Sequence, residues 1–325
     1  MGKRRRKLTP TQLRAYLATV RGGSLKAAAA DLDVTEPAIS LHIAHLRKEL
    51  GDRLFARTAS GLAFTPGGLR LASRAAELLG LQSRTILEVS QAASGRRLLR
   101  MAASSLFAEY AAPGLIELFA GRADDLDVEL SVLNPQDFAA QLSSRAVDVA
   151  LGPPPATLDS SLSCTPFLNY QMVAVVAAGH PLAGGRVGQA ELRGQTWLLG
   201  PSAVGRLGMV PTVLRRLGVP ESNQQIFQSH AAAVEEAKHG RGIALSVAFA
   251  VSKDLAAGVL AQVTGPSLPA RGSWNVFTLR DRDAPPPAAE LARFVTTPRA
   301  TQAMLRGAGV TAGRFKPAIH VTLWS

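Results

Sequence analysis

Two sets of polar residues in this 325-residue chain have types and spacings suited to recognition chemistry. The first lies where short apolar runs give way to helical patterns. Ser104 and Ser105 follow the run 98–103, Ser202 follows 197–200, and Ser229 and His230 precede a helix expected to begin near Ala231. In an open α/β sheet, ligands sit beyond the carboxyl ends of strands, where helix N-termini offer free N–H groups and a positive dipole end. Three such junctions at one cleft point to a small organic anion as ligand. Each serine reads equally as an ordinary helix cap. His230 reads as a group that pairs with a carboxylate or senses pH, or as a plain loop histidine. Arg206 is either a carboxylate partner or a solvated charge, and Phe107 and Tyr110 either wall the pocket or belong to the core.

The second set decorates one helix, 35–50. Ile39, Ile43, Leu46 and Leu50 form its inward stripe, while Thr35, Glu36, Pro37, Ser40, His42, His45 and Arg47 point away or flank it. Short polar side chains at a helix N-terminus can reach base edges in a major groove, with Lys26, Arg53 and Arg57 placed to meet phosphates. The alternative is a solvated helix face in a small bundle.

The elements that must position this set are legible around it. Thr9 caps a helix with Pro10 in its first turn, and Leu13, Tyr16, Leu17 and Val20 recur on one face. Gly22 and Gly23 stop it. Ser24 caps a short alanine-rich helix, a turn follows at Asp33 and Val34, and Gly51 ends the helix capped by Thr35. Two short apolar pieces joined at Ser60 and Gly61 suit a two-stranded wing. Thr65 and Pro66 then open a long helix to about Ala93, with Leu69, Ala72, Ala76, Leu79 and Ile86 as a narrow seam for another helix.

Beyond Ser94 and Gly95, strand and helix alternate. Strands are expected at 98–103, 128–133, 147–151, 172–178, 197–199, 226–227, 243–245 and 274–279. Helices are expected at 105–120, 136–143, 205–217, 231–239 and 288–305, the last following hinge-like prolines at 285–287. This order predicts a largely parallel sheet with helices on both faces, folded as two lobes joined by crossing strands.

Charge separates the two halves. Residues 1–97 carry 17 Lys and Arg against 7 acids, a net of +10, whereas residues 98–325 carry 19 against 17, a net of +2. A polyanion partner explains this asymmetry through counterion release better than a membrane surface does, because no cationic amphipathic anchor accompanies it. The run Lys3–Lys7 is a DNA-contacting arm or a solvated terminus. It is not followed by the apolar segment of a signal peptide, and no apolar run is long enough to span a bilayer. One cysteine, Cys164, excludes a disulfide within the chain and suits a reducing compartment. No nucleophile elbow, phosphate-binding glycine loop or metal-ligand spacing occurs, so neither an enzyme nor a metal or cofactor site is expected. An architectural DNA-binding protein without sequence preference is the competing reading, but a large, nearly neutral second half suits a sensor better.

The ordered series GSLKAAAADLDVTEPAIS, LRKELGDRLFAR and Thr65–Gly68 resembles the N-terminal domain of LysR-type transcriptional regulators. Glu36 stands where that family often has glutamine, and Leu41 follows Ser40 where arginine is common. The resemblance implies an N-terminal all-α winged helix-turn-helix DNA-binding domain (1–68) and a linker helix (69–95) that forms an antiparallel dimer. It implies a C-terminal α/β two-lobed periplasmic-binding-protein-like effector domain (96–325), with its second lobe at about 166–267. Positions similar to Ser104, Ser105, Ser202, Ser229 and His230 line the family's inducer cleft. A cytoplasmic dimer of dimers that bends promoter DNA and alters RNA polymerase access is the implied assembly. The segment 314–325 lies past the family's usual end.

Overall fold

The computed structural model describes residues 7–58, 61–280 and 283–306, and the backbone of 319–322. Of the basic run Lys3–Lys7 only Lys7 is among them, and Ser60 and most of the C-terminal tail also lie outside. The chain falls into two compact units, the first built from residues up to Ser90 together with Ser143–Ala146 and the second from Gln91–Leu142 and Val147 onward.

The first unit comprises α1 (Pro10–Gly22), α2 (Leu25–Asp31), α3 (Glu36–Leu50), the hairpin β1 (Phe55–Thr58) and β2 (Gly61–Phe64), and α4 (Pro66–Ser94). Local chemistry sets most of the boundaries. Thr9 and Gln12 form a capping box, Ser24 accepts from the Ala27 N–H, and Gly23 and Gly51 take left-handed conformations behind α1 and α3. Leu13, Tyr16, Ala28, Ile39, Ile43 and Leu46 close one core with Leu54 and Phe55.

The glycines at 67 and 68 are required by close approach. A Cβ at Gly67 would lie 2.1 Å from Asp52 Oδ2, and one at Gly68 would lie 2.0 Å from the Leu54 carbonyl. Asp52 in turn accepts from the Leu54 N–H at 2.6 Å and the Thr65 hydroxyl at 2.7 Å, and the Tyr16 hydroxyl donates to the Gly68 carbonyl. These bonds hold the Asp52 carboxyl below its ordinary pKa and seat the start of α4 on the base of the wing. Along α4 the expected seam divides. Ala72 and Leu79 pack against the core of their own unit, while Leu69 and Ile86 are exposed together with Leu78, Leu81 and Val89.

The second unit is built on a ten-stranded sheet. Its strands are β3 (Arg97–Ala103), β4 (Leu126–Val132), β5 (Val149–Gly152), β6 (Leu162–Ala177), β7 (Trp197–Leu199), β8 (Gln224–Ile226), β9 (Ile243–Val247), β10 (Leu260–Val263), β11 (Ala270–Leu279) and β12 (Ile319–Thr322). The order is β12-β4-β3-β5-β11-β6-β9-β7-β8, with β10 paired to β6. One lobe has β3, β4 and β5 in parallel, the other β7, β8 and β9. Between them β6 and β11 run antiparallel to each other and to their neighbours. The sheet is therefore mixed, not largely parallel as expected, because the two crossing strands enter each lobe against its direction.

The helices are α5 (Ser105–Tyr110), α6 (Ala112–Ala120), α7 (Phe138–Ser143), α8 (Gln189–Arg193), α9 (Met209–Leu217), α10 (His230–Lys238), α11 (Ser252–Ala256), α12 (Pro286–Phe294) and α13 (Pro298–Arg306). Two expected single helices are divided. Pro113 has no N–H for the carbonyl four residues back and its ring would clash there, so the helix expected over 105–120 breaks at Ala111. Pro298 likewise starts α13 separately. Pro286 and Pro287 are not a hinge but the first two residues of α12, where a missing N–H costs nothing. β6 begins ten residues before the expected strand at 172, its first half hidden by Pro166 and by polar alternation. The five-residue helices α8 and α11 and the strand β10 were too short to expect from periodicity.

Arg47 corrects another expectation. It does not face outward: its Nε donates to the Arg53 carbonyl at 2.7 Å, its Nη2 donates to the Phe55 carbonyl at 2.9 Å, and the guanidinium lies 4.7 Å from the Phe55 ring centroid. A planar fork that spans two carbonyls is specific to arginine. Arg47→Ala should lower first-unit stability by about 1–3 kcal/mol, and Arg47→Lys should recover little of it. Arg21→Ala, which removes only an exposed pair with Asp31, should stay within about 0.5 kcal/mol in the same thermal unfolding series.

Candidate functional site

Between the lobes of the second unit lies a cavity of about 180 Å³. Its floor comes from the crossing strands and its rims from the segments that leave β3 and β7. Ser104 ends β3 in an extended conformation, donates its N–H to the Leu151 carbonyl at 3.0 Å, and is 4% exposed. Ser105 opens α5. Ser202 sits in the 3-10 turn Pro201–Ala203 that follows β7. All three serines line the cavity, as do Tyr170 and Trp274.

The position of Trp274 follows from the ladder between β6 and β11. The register shifts between Trp274, opposite Leu168, and Asn275, opposite Pro166, which leaves Phe167 as the extra residue of a bulge. A proline cannot donate to a ladder, and a bulge is where a central strand tolerates one. Gly272 lies opposite Tyr170, and a Cβ there would come within 2.5 Å of the Tyr170 ring. With that space free, Tyr170 packs on Trp274 at 4.4 Å between centroids, and Phe107 meets Trp274 edge-on at 5.1 Å. Phe107 is thus core, and burial pushes the Tyr170 hydroxyl well above its ordinary pKa.

Three buried polar atoms at the cavity have no partner: Ser104 Oγ, Ser202 Oγ and Trp274 Nε1. An unmet buried donor or acceptor costs about 1–3 kcal/mol. The rest of the wall is mostly apolar, with Leu133, Leu207, Met209 and Val210 among its residues beside the neutral side chains of Asn134, Ser105 and Tyr170, and among the described residues no charged side chain lines it. The expected anion would find no cation here, and Arg206 is exposed and outside the lining.

Ser229 and His230 are also outside the cavity lining. Ser229 is an ordinary cap, accepting from the Ala232 N–H at 3.0 Å. The His230 and Ala231 N–H groups donate to the two carboxylate oxygens of Glu109, at 2.8 and 2.6 Å. Glu109 lies on α5 of the first lobe and α10 belongs to the second, so this carboxylate clasps the lobes together. Burial raises its pKa, an effect opposed by the two N–H bonds. The expected carboxylate partner of His230 therefore binds its backbone, not its ring. The imidazole is 1% exposed and fills the space over Gly200, where a Cβ would lie 2.3 Å from Nδ1. Its Nε2 is 3.4 Å from Ser105 Oγ. Burial lowers its pKa to about 4, so the ring is neutral at physiological pH and is no sensor there. Glu109, Tyr170 and Trp274 were missed by sequence reasoning. Glu109 carried one weak signal, an acid between Phe107 and Tyr110 in the largely apolar stretch 105–120, which it shares with Glu117; the two aromatics carried none that separates them from core.

In the first unit, Lys26, Thr35, Glu36, Pro37, Ser40, Arg53 and Arg57 are exposed and His42 is half-buried. Thr35 occupies the N-cap position of α3 without a capping bond from its side chain. Arg57 on the wing stands 3.6 Å from Glu36 at the start of α3, which brings wing and helix N-terminus to one surface. Leu41, at 56% exposure, lies beside Ser40.

Residues 10–69 match the family model of the bacterial regulatory helix-turn-helix proteins of the lysR family, and residues 92–298 match the LysR substrate binding domain. The chain belongs to the LysR-type transcriptional regulators. It is 57% identical to the HTH-type transcriptional regulator Rv0377 of Mycobacterium tuberculosis, over 98% of this chain and 100% of that protein. It is 30% identical to CbbR of Rhizobium meliloti, over 89% and 93%. Among solved structures, it resembles full-length CbnR in complex with its target DNA, with a TM-score of 0.55 and 18% identity over 89% of this chain and 100% of that one. It also resembles a peroxide-bound cysteine-to-serine mutant of OxyR from Corynebacterium glutamicum, with a TM-score of 0.54 and 20% identity over 97% and 99%. This LysR-type regulator thus carries a DNA-binding helix-turn-helix and a substrate-binding domain. Its relatives are regulators, not enzymes. Among the described residues no helix is long and apolar enough to cross a membrane.

The depressed pKa of His230 has a sign that can be checked. Between pH 6.5 and about 4 the unfolded chain binds the proton first, so the stability is present above 6.5 and lost as pH falls toward 4. At ~1.36 kcal/mol per pKa unit, the second unit should lose about 2 kcal/mol more between pH 7 and 5 than the His230→Gln variant does. Urea unfolding of both proteins at the two pH values measures the difference. Equal slopes would refute it.

Proposed function

We propose that this regulator reads a promoter through the start of α3 and the wing, and that a small molecule between the lobes of its second unit controls the outcome. The observation that carries this reading is the cavity, where three buried polar atoms without partners surround a space of ligand size. The chain would work as a DNA-binding part (1–68), a linker helix (69–95) and an effector part (96–325). Thr35, Glu36, Pro37, Ser40 and His42 would face base edges, with Lys26, Arg53 and Arg57 on phosphates. Ser104, Ser105 and Ser202 would contact the effector, while Ser229 and His230 would act through the lobe closure that Glu109 clasps.

The exposed Leu78, Leu81, Ile86 and Val89 on α4 support pairing of two protomers through that helix. Two such dimers would bend the DNA between their sites. The effector would act by favouring one lobe angle over another, a population shift transmitted to the bend and to polymerase access in the cytoplasm. The test is footprinting on DNA upstream of the protein's own gene with excess unrelated competitor. Protection of two spaced regions with a hypersensitive segment between them is expected. Ser40→Ala should cost about 1–3 kcal/mol on the protected site alone, whereas Arg53→Ala should weaken binding to every sequence and reduce the salt slope by about 1. Uniform effects of both substitutions would mean that α3 does not read bases.

A further inference from the structure

The cavity wall bears on the kind of molecule it admits. Starts of helical segments often supply the N–H groups that hold anions, and four of them contribute to this lining: α5, α9 and the 3-10 turns Pro135–Asp137 and Pro201–Ala203. Proline has removed donors from three. Pro135 and Pro201 occupy the first positions of the 3-10 turns and Pro211 the third position of α9. The α10 start has its first N–H groups committed to Glu109 and Ser229. Among the described residues no Lys, Arg or His lines the cavity. His230, whose Nε2 lies 3.4 Å from Ser105 Oγ, is kept neutral by burial. A carboxylate or phosphate entering here would lose its hydration with no charge to replace it.

The unmet groups ask for something else. Trp274 Nε1 can only donate, so its partner must be an acceptor, and the serine hydroxyls can donate beside it. The contrast with Trp197 is informative: its Nε1 is equally buried but donates to the Leu192 carbonyl at 2.9 Å. Of these two buried tryptophans, the one at the cavity is left unmet. The volume is close to the ~150 Å³ at which an engineered apolar cavity holds benzene.

We propose that the cleft takes a compact, uncharged molecule with an apolar body and carbonyl-type oxygen, whose acceptor lone pairs satisfy Trp274 Nε1 and the hydroxyls of Ser104 and Ser202. This deepens the reading of the cleft as the effector site and rests on it. The experiment compares two probes of matched shape, benzamide and benzoate, on the full-length protein labelled with 5-fluorotryptophan. Binding is followed by the fluorine signal of Trp274, assigned with Trp274→Phe.

At neutral pH, benzamide should shift the Trp274 signal at millimolar concentration and benzoate should bind roughly tenfold more weakly. Ser104→Ala and Ser202→Ala should each weaken benzamide about threefold to tenfold without lowering the thermal midpoint of the free protein, since each removes an unpartnered group. Equal or tighter binding of benzoate at the same signal would overturn the uncharged class and leave the cleft as the effector site. Benzamide binding indifferent to both serine substitutions would overturn the assigned contacts. Failure of both probes to move Trp274 up to their solubility limits would overturn the cleft reading itself.

Discussion

The second unit depends on one constraint, the antiparallel pairing of β6 and β11 across both lobes. Their ladder runs from Ala270 opposite Met172 to Leu279 opposite Leu162, broken once at Trp274 and Asn275. Each lobe adds its own parallel strands to one side of this pair, so the lobes share a spine of backbone hydrogen bonds. The bulge falls where the spine passes beneath the cleft. It brings Trp274 to the cavity, and the space over Gly272 lets Tyr170 pack against the indole. The same irregularity that accommodates Pro166 thus shapes the floor of the binding space.

Polar groups in this unit are used in two opposite ways. At the start of α10 the backbone donors are satisfied: Glu109 takes two N–H groups and Ser229 a third, while the His230 ring, its Nδ1 without a partner, fills the space over Gly200. These contacts join α5 of one lobe to α10 of the other, and charge-assisted bonds of this kind are about twice as strong as neutral ones. Ser104, Ser202 and Trp274 remain unmet. A fold that closes one interface with a buried carboxylate and leaves hydrogen-bonding atoms unpaired a few residues away separates lobe closure from ligand capture. A ligand that pairs those atoms in only one lobe arrangement has the differential affinity that a population shift requires.

In the first unit the analogous separation is between arginines. Arg47 is consumed as a structural fork on the Arg53 and Phe55 carbonyls, which fixes the wing against α3. Arg53 and Arg57 keep exposed side chains on that fixed frame. The Arg57 pair with Glu36 is solvent-exposed, worth about 0–1 kcal/mol, and open to exchange for a phosphate.

Residue types alone decide what rules acting within one helical turn can reach. Thr9 with Gln12, Ser24, Gly23 and Gly51 bound their helices through contacts with residues at most four positions away, and the inward stripe of α3 follows from a period of 3.6. The strand-to-helix junctions at Ser104 and Ser202 were legible for the same reason, as was the uneven charge that separates the two halves. Long-range packing decided the rest. Whether a serine caps a helix, as Ser229 does, or stands unmet at a cavity, as Ser104 does, depends on what the distant chain brings beside it. Arg47 and His230 lost their outward or titrating roles to carbonyls and burial supplied by other segments. Trp274 became part of the site because β6 and β11 carry it to one floor with Tyr170, and Glu109 because α5 meets α10 across 121 positions of sequence. Such contacts leave no period in the sequence, since their energy comes from exclusion of water between segments and not from the backbone preferences of either one.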